Sequence, residues 1–169
     1  RLIRLRLPEG QTYRAGDHVA VYARNRADLV DRALARLALD PAMQVTVDGQ
    51  GGRFRHLPLG RTLTVGQLLT DFVELSDPAP KRALDVLGGA TRCPKTRAEL
   101  AVLANDYDAS VAGKRLTLLD LYESHPAIEA DLAQLIELSA AIAPRFYSIA
   151  SSPLIAPDIV DLIIGTAAA

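Results

Sequence analysis

The chain has 169 residues, 49% of them hydrophobic, enough for one domain with a real core or for one domain carrying an insertion. Its 19 Lys and Arg stand against 20 Asp and Glu, a formal net charge of −1, which argues against a basic face for nucleic-acid phosphates or an anionic membrane surface. Charges break every apolar stretch within about a dozen residues, short of the roughly 20 that cross a bilayer, and the single cysteine, Cys93, excludes an internal disulfide or a multi-thiolate zinc site. A lone thiol suits a reducing compartment, so the expected setting is the cytoplasm. Arg1 is preceded by no Met, basic leader or apolar signal core, and the chain reads as a piece of something longer.

Leu2 to Leu7 alternates apolar and basic side chains, the period of a strand with one wet face, and Pro8-Glu9-Gly10 ends it. Asp17 to Tyr22 is a second strand candidate. Asn25 offers a helix N-cap, and Leu29, Val30, Ala33, Leu34 and Leu37 recur at helical spacing until Pro41. Gln44 to Val47 reads as a short strand, followed by a turn at Asp48-Gly49-Gln50-Gly51-Gly52.

From Arg61 to Ile142 the texture is helical. Thr64 with Gln67, Thr96 with Glu99, and Thr117 with Asp120 each place a hydroxyl before a helix and an acid or amide three residues on, the capping-box spacing. The spacing of Ile128, Leu132, Leu135, Leu138 and Ile142 predicts one helix over 128–142, closed by Pro144. Period two returns in Arg145 to Ala150 and in Ile159 to Ile164, with a break at Ser151-Ser152-Pro153. Strands, helices and strands again predict an α+β fold, a mainly antiparallel β domain with a helical insertion. About five strands with an edge at Ile164 call for further chain to complete the sheet.

Most chemical signatures are missing. Gly49 and Gly51 open a G-x-G, but Phe54 stands where a nucleotide-binding fingerprint needs glycine. Asp108 replaces the first glycine of a phosphate loop ending Gly113-Lys114, and no G-x-S-x-G exists. His18, His56 and His125 are far apart in sequence and read as structural or solvated, so no metal site is expected. Arg92 and Lys95 flank Cys93 and would lower its pKa, yet no base is placed beside it by spacing. No catalytic residue is assigned.

Pro144-Arg145-Phe146-Tyr147-Ser148-Ile149-Ala150-Ser151-Ser152 is different. Alternation puts Arg145 and Tyr147 on one strand face, roughly 6.5–7 Å apart. A guanidinium takes a diphosphate bidentately and a phenol ring stacks on a planar heterocycle. On the residues alone, an anion and aromatic-ligand site and a core tyrosine beside a surface arginine both remain open.

This run resembles the FAD-binding motif R-x-Y-S-x-x-S of the diflavin reductases, the family of NADPH–cytochrome P-450 reductase, sulfite reductase flavoprotein and nitric oxide synthase reductase. Tyr13 to Val21 with Asn25 resembles that family's Y-x-x-G-D-H segment, and His56-Leu57-Pro58-Leu59 with Thr64 to Leu69 resembles the entrance to its helical connecting domain. Ala90 to Pro94 with Leu116 to Leu121 looks most like the reductase half of self-sufficient P-450 fusions.

The resemblance implies an antiparallel FAD-binding barrel of the ferredoxin-reductase type, incomplete here, with an inserted all-α connecting domain: barrel in 1–60 and 144–169, connecting domain in 61–143. It implies that Arg145 holds the FAD diphosphate, Tyr147 packs on the isoalloxazine or bonds the ribityl chain, and Ser148 lies near the flavin N5 and O4 edge. Strict alternation puts Ser148 opposite Tyr147, so its role would run through local twist or a backbone N–H. Ser151 is implied as a turn or phosphate-side hydroxyl, and His18 as structural. The parent would take hydride from NADPH on FAD and pass electrons through FMN to heme, its partners being a flavodoxin-like FMN domain, an NADPH-binding domain and a fused heme domain. A sulfite reductase flavoprotein subunit and a non-catalytic domain-docking scaffold are the alternatives. The family's second phosphate turn and NADPH domain are not among these residues, so the fragment alone is expected to be inactive.

Overall fold

The computed structural model describes residues 1–49 and 56–165. In chain order the elements are β1 (Leu2–Arg6), β2 (His18–Val21), α1 (Ala27–Leu37), β3 (Gln44–Thr46), β4 (Thr62–Thr64), α2 (Val65–Asp71), α3 (Lys81–Ala90) and α4 (Pro94–Asn105). A π-helical turn (Asp108–Ala112) follows, then α5 (Leu118–Ser124), α6 (Leu132–Leu138), β5 (Arg145–Ser148) and β6 (Ile159–Ile163). No helix among the described residues is long and apolar enough to cross a membrane.

Two compact units emerge, the first from Arg1–Ala23 with Ala143–Ala169 and the second from Arg24–Ile142. In the first, β1 pairs with β6 and β2 with β5, both antiparallel. An isolated bridge between Ile149 and Leu162, with the Ala150 N–H donating to Asp161 O at 2.8 Å, joins the two pairs. The expected closed barrel is therefore not formed by the described strands: the pairs meet at one bridge, and the outer edges of β1 and β2 carry no further strand. The core here is small, with Tyr13, Val160 and Leu162 buried and Leu7, Val19, Tyr147, Ile149 and Ile164 packed around them. All five residues of β1 are exposed, so its apolar alternation does not yield the one buried face it suggests.

The second unit holds the larger core, in which Leu68, Leu69, Leu84, Leu87, Leu100, Leu119, Leu121, Tyr122, Leu135 and Leu138 are almost wholly buried. It is not all-α. β3 and β4 form an antiparallel pair within it, with the Thr46 and Thr62 hydroxyls 3.1 Å apart across the strands. β-branched Thr62 and Thr64 suit that pairing, and α1 and β3, from the segment 1–60, pack in this unit as well. Of the glycine turn after β3, residues 50–52 lie outside the described residues, as does Phe54.

The caps at Thr64 and Thr117 form as the spacing predicts, each hydroxyl accepting from the N–H three residues on and each partner side chain accepting from the cap N–H. Thr96 does not cap. Pro94 takes the first helical position, where its missing N–H costs nothing, so Cys93 becomes the N-cap and Thr96 falls inside α4. Asn25 does not cap α1 either; Arg26 precedes the helix, and the Asn25 amide is spent on α2. The predicted helix over 128–142 shortens to α6, because Asp131 caps at Leu132 by accepting from the Gln134 N–H at 2.7 Å. At the other end Ser139 turns extended and Ile142 donates to Phe72 O at 2.8 Å, so the apolar stripe stays buried without being helical throughout.

Candidate functional site

The site is built on the β2–β5 pair of the first unit. Its register sets Arg145 opposite Val21, Phe146 opposite Ala20, Tyr147 opposite Val19 and Ser148 opposite His18. Tyr147 and Val19 pack toward the Tyr13, Val160 and Leu162 cluster, which fixes the inner face of the strand. Alternation then aligns Arg145 with that face, at the end of the strand, and turns Phe146 and Ser148 outward. Phe146 is 67% exposed, and Arg145 and Ser148 are exposed as well.

Two turns hold this strand in place. Gly16, at φ +94°, makes the bend before β2 that a side chain would strain. The Asp17 carboxylate accepts from the Arg14 N–H at 2.8 Å to close the turn, and Asp17 O accepts from the Ile149 N–H at 3.0 Å just beyond β5. On the other side Ser151 Oγ lies 2.8 Å from the buried Tyr13 hydroxyl, donates to Ile159 O at 3.1 Å and accepts from the Asp161 N–H at 3.0 Å. The Ser151 proton and both lone pairs are thus engaged within the protein. Residues of the Y-x-x-G-D-H segment carry this scaffold, and the Tyr13–Ser151 pairing across 138 residues had no local signal in the sequence.

Several arginines of the chain are engaged by acids. Arg4 is bidentate to Asp161, Arg6 pairs with Asp158, Arg24 with Asp71 and Arg32 with Asp120 and Glu123. Arg145 has no carboxylate partner among the described residues and is exposed on the strand face of the half-buried Tyr147, while Ser148 presents an exposed hydroxyl on the other face. That donor set matches a ligand carrying a diphosphate, a polyol and a flat ring.

Cys93, in the second unit, is partly exposed at the start of α4. Its thiol pKa is lowered first by the Thr96 N–H and then by the Thr96 hydroxyl, while Glu99 opposes the shift. The cause is the helix start and not the flanking basic charges. His125 is anchored by its Nδ1 to Leu121 O and Ser124 Oγ, each at 3.0 Å.

Comparison with known proteins supplies the deciding observation: the family model described as FAD binding domain matches residues 3–167. The chain belongs to the FAD binding domain family. Among curated relatives, a bifunctional cytochrome P-450/NADPH–P-450 reductase of Bacillus subtilis is 38% identical over 98% of this chain, which covers 16% of that protein. A protein of the same description from Acremonium egyptiacum is 37% identical over 96% of the chain and 15% of its own length. A self-sufficient cytochrome P-450 monooxygenase of Phanerodontia chrysosporium is 38% identical over 91% of the chain and 14% of its own. The chain therefore spans about a sixth of these relatives. FAD is the ligand that membership in this family specifies, and the set formed by Arg145, Tyr147 and Ser148 fits it chemically.

Proposed function

We propose that this FAD binding domain is the flavin-holding segment of an NADPH-dependent reductase that delivers electrons through FMN to a P-450 heme, in the cytoplasm. The observation that carries the proposal is the unpaired Arg145 heading β5 beside Tyr147, within a chain whose relatives are named as P-450 reductase fusions. In this reading residues 1–60 and 144–169 contribute to the FAD-binding barrel, and 61–143 form the inserted connecting domain between it and an FMN domain. An NADPH domain and a fused heme domain complete the partners. When bound, FAD supplies the acceptance of an electron pair from NADPH and its release one electron at a time.

The protein's own residues bind and orient. Arg145 holds the diphosphate through two parallel N–H donors, which fixes distance and plane together. Tyr147, seated on the small core, offers a ring whose tilt is set by packing and so limits how the flat part of the ligand lies. Ser148 presents its hydroxyl on the other strand face, and its reach to the ligand runs through the strand twist or its N–H. Ser151 acts one step back by tying the end of β5 to β6 and Tyr13.

Calorimetric titration of the chain with FAD tests the proposal. Arg145→Ala should cost about 2–4 kcal/mol of binding, since a diphosphate loses its charge-assisted bidentate partner. Arg145→Lys should recover only part, because an ammonium lacks the fork. If both variants bind FAD as the parent chain does, Arg145 is a surface residue and the assignment is wrong.

A further inference from the structure

The chain passes between the two units twice, entering the second near Arg24 and leaving it at Ile142. Both passages are tied to one place inside the second unit, the C-terminal end of α2. A helix leaves its last carbonyls without partners of its own. Here the incoming and outgoing chain supply the donors. Asn25 gives its backbone N–H to Thr70 O at 2.9 Å, and its side-chain amide donates to Leu69 O at 2.6 Å and Val73 O at 2.5 Å. Asn25 Oδ1 accepts from the Leu75 N–H at 3.4 Å, so the amide spans the whole turn. The outgoing chain does the rest: Ile142 donates to Phe72 O at 2.8 Å, Glu74 donates to Ala140 O at 2.9 Å, and Val73 bridges Ala141.

We infer that the C-terminus of α2 is a single two-stranded junction locked by Asn25, in which the entry and exit passages of the second unit open and close together. Asn25 is then a positioning residue. Four of the bonds just given involve its own groups, and the Phe72, Val73 and Glu74 positions that receive the exit strand stand in the turn those bonds hold. Leu69 and Val73 are almost wholly buried, so releasing the amide leaves backbone groups poorly served by water. Removing it at the entry side should loosen an exit strand that it never touches. Arg24 touches the same turn only through an exposed side-chain ion pair to Asp71 at 2.9 Å, which adds little stability.

Native-state hydrogen exchange of the whole 169-residue chain tests it. In the unaltered protein the amides of Leu75, Glu74 and Ile142 should exchange through one opening, with protection factors within about threefold of one another, as members of a cooperative unit do. In Asn25→Ala all three should exchange at least tenfold faster, and Arg24→Ala should leave each within twofold. A tenfold gap between Ile142 and Leu75 in the unaltered chain would overturn the inference even if Asn25→Ala fails to fold. Acceleration confined to Leu75 in Asn25→Ala would overturn it too, since Asn25 would then be a local cap.

Discussion

Ser151 divides two roles that a motif alone confounds, a direct hydroxyl for the ligand and a tie within the scaffold. The geometry favours the tie. Its hydroxyl serves Ile159 O, the Asp161 N–H and the hydroxyl of the buried Tyr13, so Ser151→Ala strips the partner from the first two and leaves the Tyr13 hydroxyl only a long bond, 3.5 Å, to Ala156 O. Each unsatisfied group costs about 1–3 kcal/mol when dry, but this cluster is only partly buried and water can replace some bonds, which brings the expected total to about 2–4 kcal/mol. That is large for a unit with a core built on Tyr13, Val160 and Leu162. Tyr13→Phe should cost less, about 1 kcal/mol, because Ser151 keeps its two backbone partners. The double variant should then fall short of the sum by about 0.5–1 kcal/mol, the coupling of the shared bond. Urea unfolding without FAD, followed by tyrosine fluorescence, measures all four corners of the cycle. A Ser151→Ala chain within 0.5 kcal/mol of its parent, but with weakened FAD binding, would refute the reasoning and return Ser151 to the ligand shell.

Thr64→Ala should destabilise the second unit by about 1 kcal/mol through loss of the α2 cap, read as a shift in urea midpoint. At Asp120, desolvation pushes the carboxyl pKa up, but the Thr117 N–H, Arg32 and the Thr117 hydroxyl outweigh it and hold it below the ordinary value. Its contribution is therefore complete above roughly pH 4 and fades as pH falls through the lower folded value, so Asp120→Asn should flatten the acid limb of stability measured from pH 5 downward. For Cys93, the rate of iodoacetamide alkylation against pH should give an apparent pKa below that of a free thiol. Thr96→Ala should move it up only part of the way, because the Thr96 N–H, the larger cause, remains.

Local rules carried far in this chain where one residue type dominates its own neighbourhood. The Thr64 and Thr117 boxes, the β5 strand and the α1 stripe follow from spacing, since each needs nothing beyond four to eleven consecutive residues. They stop where two local signals compete. Thr96 has the spacing of a cap, but Pro94 sets the helix start three residues earlier, and a proline with no N–H settles such a contest. Ile128 and Ile142 have the period of α6 and are buried, yet Asp131 and the Phe72 carbonyl draw them out of the helix. That Arg145, Tyr147 and Ser148 share one strand was legible, because a motif gathers them in four consecutive residues. What holds that strand, Tyr13 with Ser151 and Asp17 with Ile149, spans over a hundred residues and becomes visible only once β2 and β5 are paired.

The outward face of the β1–β6 pair has a bearing on how the first unit finds its alignment during folding. Arg4 meets Asp161 directly across the ladder and Arg6 reaches Asp158, all on a surface where such pairs add little stability. Sliding β1 by two residues keeps every side chain on its proper face, so hydrophobicity alone cannot reject that error. The charges disfavour it: one slide sets Arg4 against Ile159 and Leu2 against Asp161, and the other, though it brings Arg6 to Asp161, sets Arg4 against Ile163 and takes Arg6 from Asp158. Each strands a carboxylate or a guanidinium beside an aliphatic chain. With a core this small to enforce the match, the two arginines act as a proofreading device, and replacing both with threonine should leave the melting temperature nearly unchanged while increasing the fraction of chains that refold slowly from misaligned pairs.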